Sequence, residues 1–140
     1  MVRGARVRHG FLELCGLGGV LQMSEFIVLT CYGKQYAYDV LLSPEDHAWA
    51  ANRGNWFVTH GARSKGKRYA VRSEGGRLIF LHKVVLARAF QLPPSPFHTI
   101  GDHRNGDSLD NRRSNLRWAT PQMNARNLFG FITQQLEFQV

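Results

Sequence analysis

The sequence has little cysteine and no long apolar run. Its two cysteines, Cys15 and Cys31, form no C-x-x-C pair. This excludes a disulfide framework and a four-cysteine zinc site, and two lone thiols favour a reducing, cytoplasmic compartment. Because no stretch of about 18 apolar residues occurs, a membrane-spanning helix is excluded as well. We therefore expect no structural zinc and no membrane partner.

Acidic residues are also scarce. The 140 residues contain 10 Asp and Glu against 18 Lys and Arg, a formal net charge of +8. A chain of this length forms one compact domain or a small catalytic unit with an appendage. The excess of positive charge favours a polyanionic partner, because basic side chains that contact phosphates release condensed counterions. A basic surface that only confers solubility is the alternative.

The first 22 residues do not match the rest of the chain. Three arginines precede an apolar stretch that Glu13 interrupts, and no small-residue cleavage site follows, which argues against a secretory signal. The glycines of this stretch lack the other residues of a dinucleotide-binding fingerprint. Met23 resembles a natural start. We expect residues 1–22 to be a poorly ordered extension or an over-called start.

Residues 23–80 predict a small α+β region. The stretch 25–42 is rich in strand-forming residues around a turn at Gly33, which predicts a β-hairpin. Ser43 is predicted to cap a short helix that has Pro44 at its first position and ends near residues 53–54. Short antiparallel strands with glycine-rich turns are predicted over 56–58, 68–72 and 77–80.

A second region, 81–130, begins with an amphipathic helix. Leu81, Val84, Val85 and Ala89 share one face of the stretch 81–90, and two prolines follow it. Residues 131–140 form a tail. The predicted fold class is therefore α+β, with short antiparallel strands and helices.

The polar segment 101–127 concentrates the reactive side chains. It holds three Asp, one His, five Asn and five Arg. A calcium loop of the EF-hand type fails, because Arg104, Gly106 and Arg113 occupy positions where that template needs oxygen ligands. A solvated loop whose Asn and Asp side chains satisfy turns remains the alternative on composition alone.

The order of short motifs in this segment distinguishes the two interpretations. The sequences DH, NGD, LDNR and SNLRW, followed by an Asn-rich helix, resemble the HNH endonuclease motif, particularly its phage and intron-encoded homing branch. The resemblance implies a C-terminal ββα-metal motif, in which a β-hairpin and a helix hold one divalent metal ion. The residues agree with this, because 116–118 read as a strand while Thr120 and Pro121 begin a helix.

The resemblance also implies residue roles. Asp102 corresponds to the carboxylate ligand of the metal and His103 to the general base that activates water. Asn115 corresponds to the middle asparagine, which holds the loop and positions the histidine, and Asn124 to a second metal ligand. An all-oxygen ligand pair favours Mg²⁺ or Mn²⁺. His82, on the preceding helix, is predicted to support the site.

Basic residues outside and inside the motif are predicted to contact the DNA backbone. A solvated face is the alternative for the cluster between residues 63 and 77, which only Glu74 opposes. The predicted DNA contacts are Arg63, Lys65, Lys67, Arg68, Arg72, Arg104 and Arg117.

The sequence thus predicts a metal-dependent endonuclease of double-stranded DNA, a phage or homing-type nicking enzyme. A monomer or weak dimer is expected, in the cytoplasm, which is that of the host cell if a phage encodes the chain. Two alternatives remain. One is a DNA-binding module without turnover, and the other is a phage packaging accessory factor whose nuclease activity depends on a partner.

Overall fold

The computed structural model describes residues 26–60, 66–89 and 91–127, together with two short paired strands, β1 (Glu13–Leu14) and β2 (Leu21–Gln22). The expected extension 1–22, apart from these strands, and the tail 131–140 lie outside the described residues, as do Arg63 and Lys65. No helix in the described ranges has the length and apolar character needed to cross a membrane.

A six-stranded mixed sheet organises the described chain. Its strands lie in the order β7-β6-β5-β3-β4-β9. Their bounds are β3 (Ile27–Tyr32), β4 (Ala37–Leu42), β5 (Phe57–His60), β6 (Arg68–Glu74), β7 (Arg77–Phe80) and β9 (Asp110–Asn111). The predicted hairpin and the antiparallel β5–β6–β7 run are present. However, β3–β5 and β4–β9 pair in parallel, because a helix carries the chain from β4 back to β5 and β9 arrives from the distant polar segment.

The first helix, α1 (Pro44–Arg53), has the predicted bounds, and Ser43 is its N-cap as predicted. The backbone carbonyl of Ser43 accepts from the amides of Asp46 and His47, whereas its hydroxyl makes no capping hydrogen bond. Instead, Ser43 Oγ accepts a hydrogen bond of 3.0 Å from the backbone amide of Arg113. The tertiary contact has replaced the local one, so this hydroxyl joins the start of α1 to the polar segment.

The second helix, α2 (Leu81–Arg88), is two residues shorter than predicted. It buries Leu81, His82, Val85 and Leu86. Val84 is only half-buried, whereas the sequence placed it on the buried face. The hydrophobic core forms where α2 meets the sheet, α1 and the later strands, and it includes Leu81, Val85, Leu86, Val40, Val58 and Leu116.

The polar segment folds into the predicted strand–strand–helix arrangement, so the α+β class is confirmed. Strand β8 (Ile100–His103) pairs antiparallel with β10 (Leu116–Ala119), and α3 (Pro121–Arg126) follows. The hydroxyl of Thr120 accepts from the amide of Met123 at 3.2 Å, which confirms the predicted cap of α3. Between the two strands, β9 and a 3₁₀ turn (Arg113–Asn115) connect the hairpin to the large sheet.

Candidate active site

Strand β8 presents Asp102 and His103 as neighbours. Successive side chains of a strand point to opposite faces, so these two residues meet different surroundings. The hairpin register sets Arg117 opposite Asp102 and Leu116 opposite His103. Both side chains are buried, at 5% exposure each. Each must therefore have polar partners, since a buried carboxylate or imidazole without them is costly.

The carboxylate of Asp102 has two donors on one oxygen. Its Oδ2 accepts from Arg117 Nε at 2.9 Å and from Asn127 Nδ2 at 3.0 Å. The guanidinium of Arg117 balances the buried negative charge, and the amide of Asn127 fixes the plane of the carboxylate. Asn127 also donates to the backbone carbonyl of His103 at 2.9 Å. Asn127 therefore links the end of α3 to Asp102 and to the backbone of His103.

The imidazole of His103 is oriented by Asn111. His103 Nε2 lies 2.9 Å from Asn111 Oδ1. An amide oxygen only accepts, so Nε2 donates its hydrogen and the lone pair of the neutral ring is on Nδ1. Burial lowers the pKa of His103, against smaller opposing effects of Asn111 and Asp102. The lowered pKa favours a neutral ring, and the contact with Asn111 leaves the lone pair on Nδ1. Nδ1 can therefore accept a proton.

Aromatic rings surround this imidazole. The ring centre of His82 lies 5.0 Å from that of His103, and the ring centre of Tyr69 lies 6.3 Å away. Burial lowers the pKa of His82 to about 3, with a smaller contribution from His103, so its ring is neutral near pH 7. The structure thus places His82 in a packing position behind His103. Burial, and next the charge of Asp102, raise the pKa of Tyr69 and keep its hydroxyl protonated.

Asn115 holds the loop, as the sequence predicts, but it does not contact the histidine. Its Oδ1 accepts from the amide of Asn105 at 3.1 Å. Its Nδ2 donates to Asn105 Oδ1 at 2.9 Å and to the carbonyl of Asp110 at 2.8 Å. Because Asp110 precedes Asn111, Asn115 acts on His103 through the backbone that carries Asn111. The sequence assigned no role to Asn111, although this residue lies within the LDNR motif.

The two asparagines at the last helix have different surroundings. Asn127 touches Asp102, whereas the side chain of Asn124 makes no hydrogen bond within residues 26–127 that the structure describes. Asn124 lies within α3, whereas Asn127 is the residue that directly follows this helix. Asn127 Oδ1 is buried and has no hydrogen-bond partner among the described residues. The sequence assigned no role to Asn127, although this residue ends the polar segment 101–127.

The donor atoms present fit a hard divalent cation. Among the described residues no group of three or more His, Cys, Asp or Glu side chains forms a metal cluster. The oxygens available are the Asp102 carboxylate, the unpartnered Asn127 Oδ1 and the amide of Asn124. Carboxylate and amide oxygens with water suit Mg²⁺ or Mn²⁺, which keep part of their hydration shell. A thiolate or multiple-histidine zinc site does not fit this set.

The basic residues predicted to contact DNA have diverse surroundings. Lys67 Nζ donates to the carbonyl of Gly106 at 3.4 Å, which brings its charge to the loop of the motif. Arg68 stacks on the ring of Tyr38, and Arg104 lies exposed on the loop. Arg72 pairs with Glu74 and stacks on Trp56, while Arg117 is the partner of Asp102. Of these residues, Arg104 belongs to the loop after His103, and Lys67 contacts that loop at Gly106.

A surface cavity of about 930 Å³ lies elsewhere, between β7 and α2. Its lining is mainly apolar and includes Leu78, Phe80, Val84 and Ala87, whereas Asp102, His103 and Asn111 do not line it. The candidate active site is therefore on another part of the molecule, and the cavity gives no indication of the reaction at that site.

Comparison with known proteins agrees with this geometry. Residues 85–126 match the family model described as HNH endonuclease, a range that contains Asp102, His103, Asn111, Asn115 and Asn124. The fold and the site thus define a small α+β protein with an HNH domain toward its C-terminal end. Residues 85–126 are thus identified as an HNH endonuclease domain, which agrees with the predicted family and supports a nuclease acting on DNA. No curated protein and no solved structure matches the chain.

Proposed function

We propose that the protein is a metal-dependent endonuclease that hydrolyses phosphodiester bonds of double-stranded DNA. The observation that carries the proposal is the fixed pair on β8. His103 is buried and oriented by Asn111, and Asp102 beside it is held by Arg117 and Asn127. A neutral imidazole of defined tautomer next to a fixed carboxylate is suited to activate water at a phosphate.

His103 is the general base in this proposal. Its Nδ1 takes a proton from a water molecule, and the oxygen of that water forms the new bond to phosphorus. The bond between phosphorus and the 3′ oxygen breaks, and the departing 3′ oxygen takes a proton from solvent water, which leaves a 5′-phosphate and a 3′-hydroxyl. Asn111 accepts the Nε2 hydrogen throughout, so it keeps Nδ1 unprotonated beforehand and stabilises the imidazolium that forms.

Asp102 and Asn124 are the proposed ligands of Mg²⁺ or Mn²⁺, with the Asn127 amide oxygen as a further donor. The bound ion supplies charge stabilisation at the phosphate and at the leaving oxygen. Arg117 and Asn127 hold the Asp102 carboxylate in one orientation. His82 supports the ring of His103 from behind, and Asn115 keeps the loop between β8 and β10 closed.

The finer part of the proposal concerns the type of enzyme. The motif order of the polar segment is similar to the phage and homing-type branch of the family. One HNH segment per chain makes a nick in one strand the expected product, from a monomer or weak dimer in the cytoplasm of the cell, or of a phage host. Lys67, which donates to the carbonyl of Gly106, and the exposed Arg104 are proposed to contact the phosphates that flank the cleaved bond.

Supercoiled plasmid provides the test. We expect purified protein to convert it to the nicked form with Mg²⁺ or Mn²⁺ but not with chelator. His103→Ala should lower the cleavage rate by about 10²- to 10⁴-fold, the usual value of general-base catalysis, while DNA affinity is retained. His98→Ala is the matched control, because His98 is hydrogen-bonded to Ser95 and lies outside the polar segment 101–127.

Other outcomes would favour the alternatives. Tight plasmid binding without cleavage under any metal condition would indicate a DNA-binding module. Cleavage only after addition of a packaging motor protein would indicate an accessory factor. Equal cleavage by wild type and His103→Ala would remove His103 from the mechanism.

A further inference from the structure

Two exposed aromatic side chains lie side by side on the six-stranded sheet. Tyr32 ends β3 and Phe57 begins β5, and their Cα atoms are in register. Tyr32 exposes 56% of its surface and Phe57 exposes 36%. Registered residues of neighbouring strands point to the same face, with the strands about 5 Å apart. The two exposed side chains therefore emerge from neighbouring strands on one face of the sheet, and we call this pair the aromatic platform (Tyr32 and Phe57).

The platform shares its sheet face with a residue of the candidate active site. Phe57 is in register with Val71, and Thr59 is in register with Tyr69. Residues two apart on a strand share a face, so Phe57 and Tyr69 lie on the same side of the sheet. One strand spacing and two residues separate them, about 8 Å. Val71, opposite Phe57, is buried on this face, and the ring centre of Tyr69 lies 6.3 Å from that of His103, so Tyr69 lies between the platform and the proposed base.

Charge on this face is low, and lysines lie close in the chain to its aromatic residues. Within strands β3 to β7 the register places a single charged residue, Asp39, on the face of the platform. Lys34 lies in the turn after β3, two residues from Tyr32 in the chain, and Lys67 directly precedes β6, two residues from Tyr69. Aromatic side chains with lysines close in the chain fit a ligand that has planar uncharged groups on a negatively charged backbone, which describes a nucleic-acid strand.

We propose that the aromatic platform binds unpaired nucleobases of a DNA strand that enters the active site, an inference that rests on the proposed nuclease function. Every base has a flat π face, so stacking on Tyr32 and Phe57 tolerates any sequence. Two rings offer too little area for a stable protein interface, which buries about 800 Å² on each partner. The platform would thus hold locally opened or single-stranded DNA near the cleaved phosphate.

The test measures binding without cleavage. Fluorescence anisotropy in chelator compares a labelled oligothymidine with a duplex of equal length. We expect Tyr32→Ala and Phe57→Ala each to weaken binding of the oligothymidine by at least about 5-fold, the lower range for loss of one stacked base. The slope of affinity against salt concentration should stay unchanged, because stacking releases no counterions. Lys67→Ala should instead reduce that slope by about one.

Matched variants separate stacking from folding and from apolar contact. Tyr32→Phe and Phe57→Tyr keep a ring and should bind as the wild type does. Tyr32→Leu and Phe57→Leu keep an apolar strand residue, so they remain folded and should bind as weakly as the alanine variants. Leu78→Ala removes an exposed apolar side chain on the same face at the sheet edge and should change nothing.

Three results would overturn the inference. The first is that Tyr32→Leu and Phe57→Leu bind the oligothymidine with wild-type affinity. The second is that Leu78→Ala loses as much affinity as the platform variants do. The third is that the platform variants lose affinity for duplex DNA alone. The nuclease proposal has a separate test, since it fails if the wild type does not cleave plasmid. The binding assay measures affinity without cleavage, so its result can be interpreted in that case as well.

Discussion

Asp46 and Arg113, 67 residues apart in the chain, form a two-point ion pair. Arg113 Nε donates to Asp46 Oδ2 at 2.7 Å, and Arg113 Nη2 donates to Asp46 Oδ1 at 2.9 Å. Arg88 of α2 adds a third bond to Asp46 Oδ1 at 3.0 Å. The carboxylate is almost fully buried, so it needs these partners. One side chain of α1 thereby ties together α2 and the loop of the HNH segment.

Asp46→Asn should destabilise the protein by about 2–3 kcal/mol. Removing one member of a buried pair costs about 3–5 kcal/mol. A destabilisation at or below the lower end of this range is expected here, because both arginine side chains are about 30% exposed and can be hydrated. Urea unfolding followed by circular dichroism measures the change. Glu45→Gln is the control, since Glu45 is exposed and 3.6 Å from Arg113, and it should cost at most about 1 kcal/mol. Equal effects of the two variants would refute the role of Asp46.

Asn111→Ala should lower kcat with little change in KM. Without the acceptor at Nε2, the ring of His103 loses both its tautomer preference and its orientation, so we expect a loss of about 100-fold. Asn111→Asp retains an acceptor at the same place and should restore much of the rate. Steady-state cleavage kinetics separate the two parameters. A rise in KM alone would indicate that Asn111 acts in DNA binding rather than in positioning His103.

Gly101→Ala should destabilise the fold through a clash with His82. A Cβ atom at residue 101 would lie 2.8 Å from His82 Cδ2 and 3.2 Å from Leu86 Cδ1. Both neighbours are buried on α2, so strain of about 1–3 kcal/mol is expected. The double variant Gly101→Ala, His82→Ala tests the cause in a mutant cycle of unfolding free energies. Strictly additive effects would show that His82 is not the source of the strain.

Acid should weaken the protein through His82. Its folded pKa is lowered to about 3 from the usual 6.5 by burial, so between these values the unfolded chain binds one proton more. The stabilisation is complete above pH 6.5 and falls by up to about 1.4 kcal/mol for each pH unit below it. His82→Leu removes this titration. Urea unfolding at pH 7.5 and 5.5 should therefore give a smaller loss for the variant, by about 1.4 kcal/mol. An equal loss of unfolding free energy in the wild type and in His82→Leu would exclude His82 as the titrating group.

Much of the local structure follows from the sequence. Pro44 begins α1 and Arg53 ends it at the predicted places, and the hydroxyl of Thr120 caps α3. The strand–strand–helix order of the polar segment, with Asp102 and His103 on the first strand, is also present. These features depend on residues a few positions apart, where turn geometry, capping and side-chain periodicity act within the chain itself.

Only the tertiary structure decided which side chains meet. The hydroxyl of Ser43 accepts from the amide of Arg113, seventy residues away, instead of capping α1. Asn111, rather than Asn115, contacts His103, because β9 joins the edge of the large sheet at β4. Tyr69 reaches the site from β6, outside the matched segment. Local patterns determined the elements and the positions of Asp102 and His103 on a strand. Packing between distant segments selected the partners that orient these two side chains, since those contacts depend on strand pairing and burial across the whole fold.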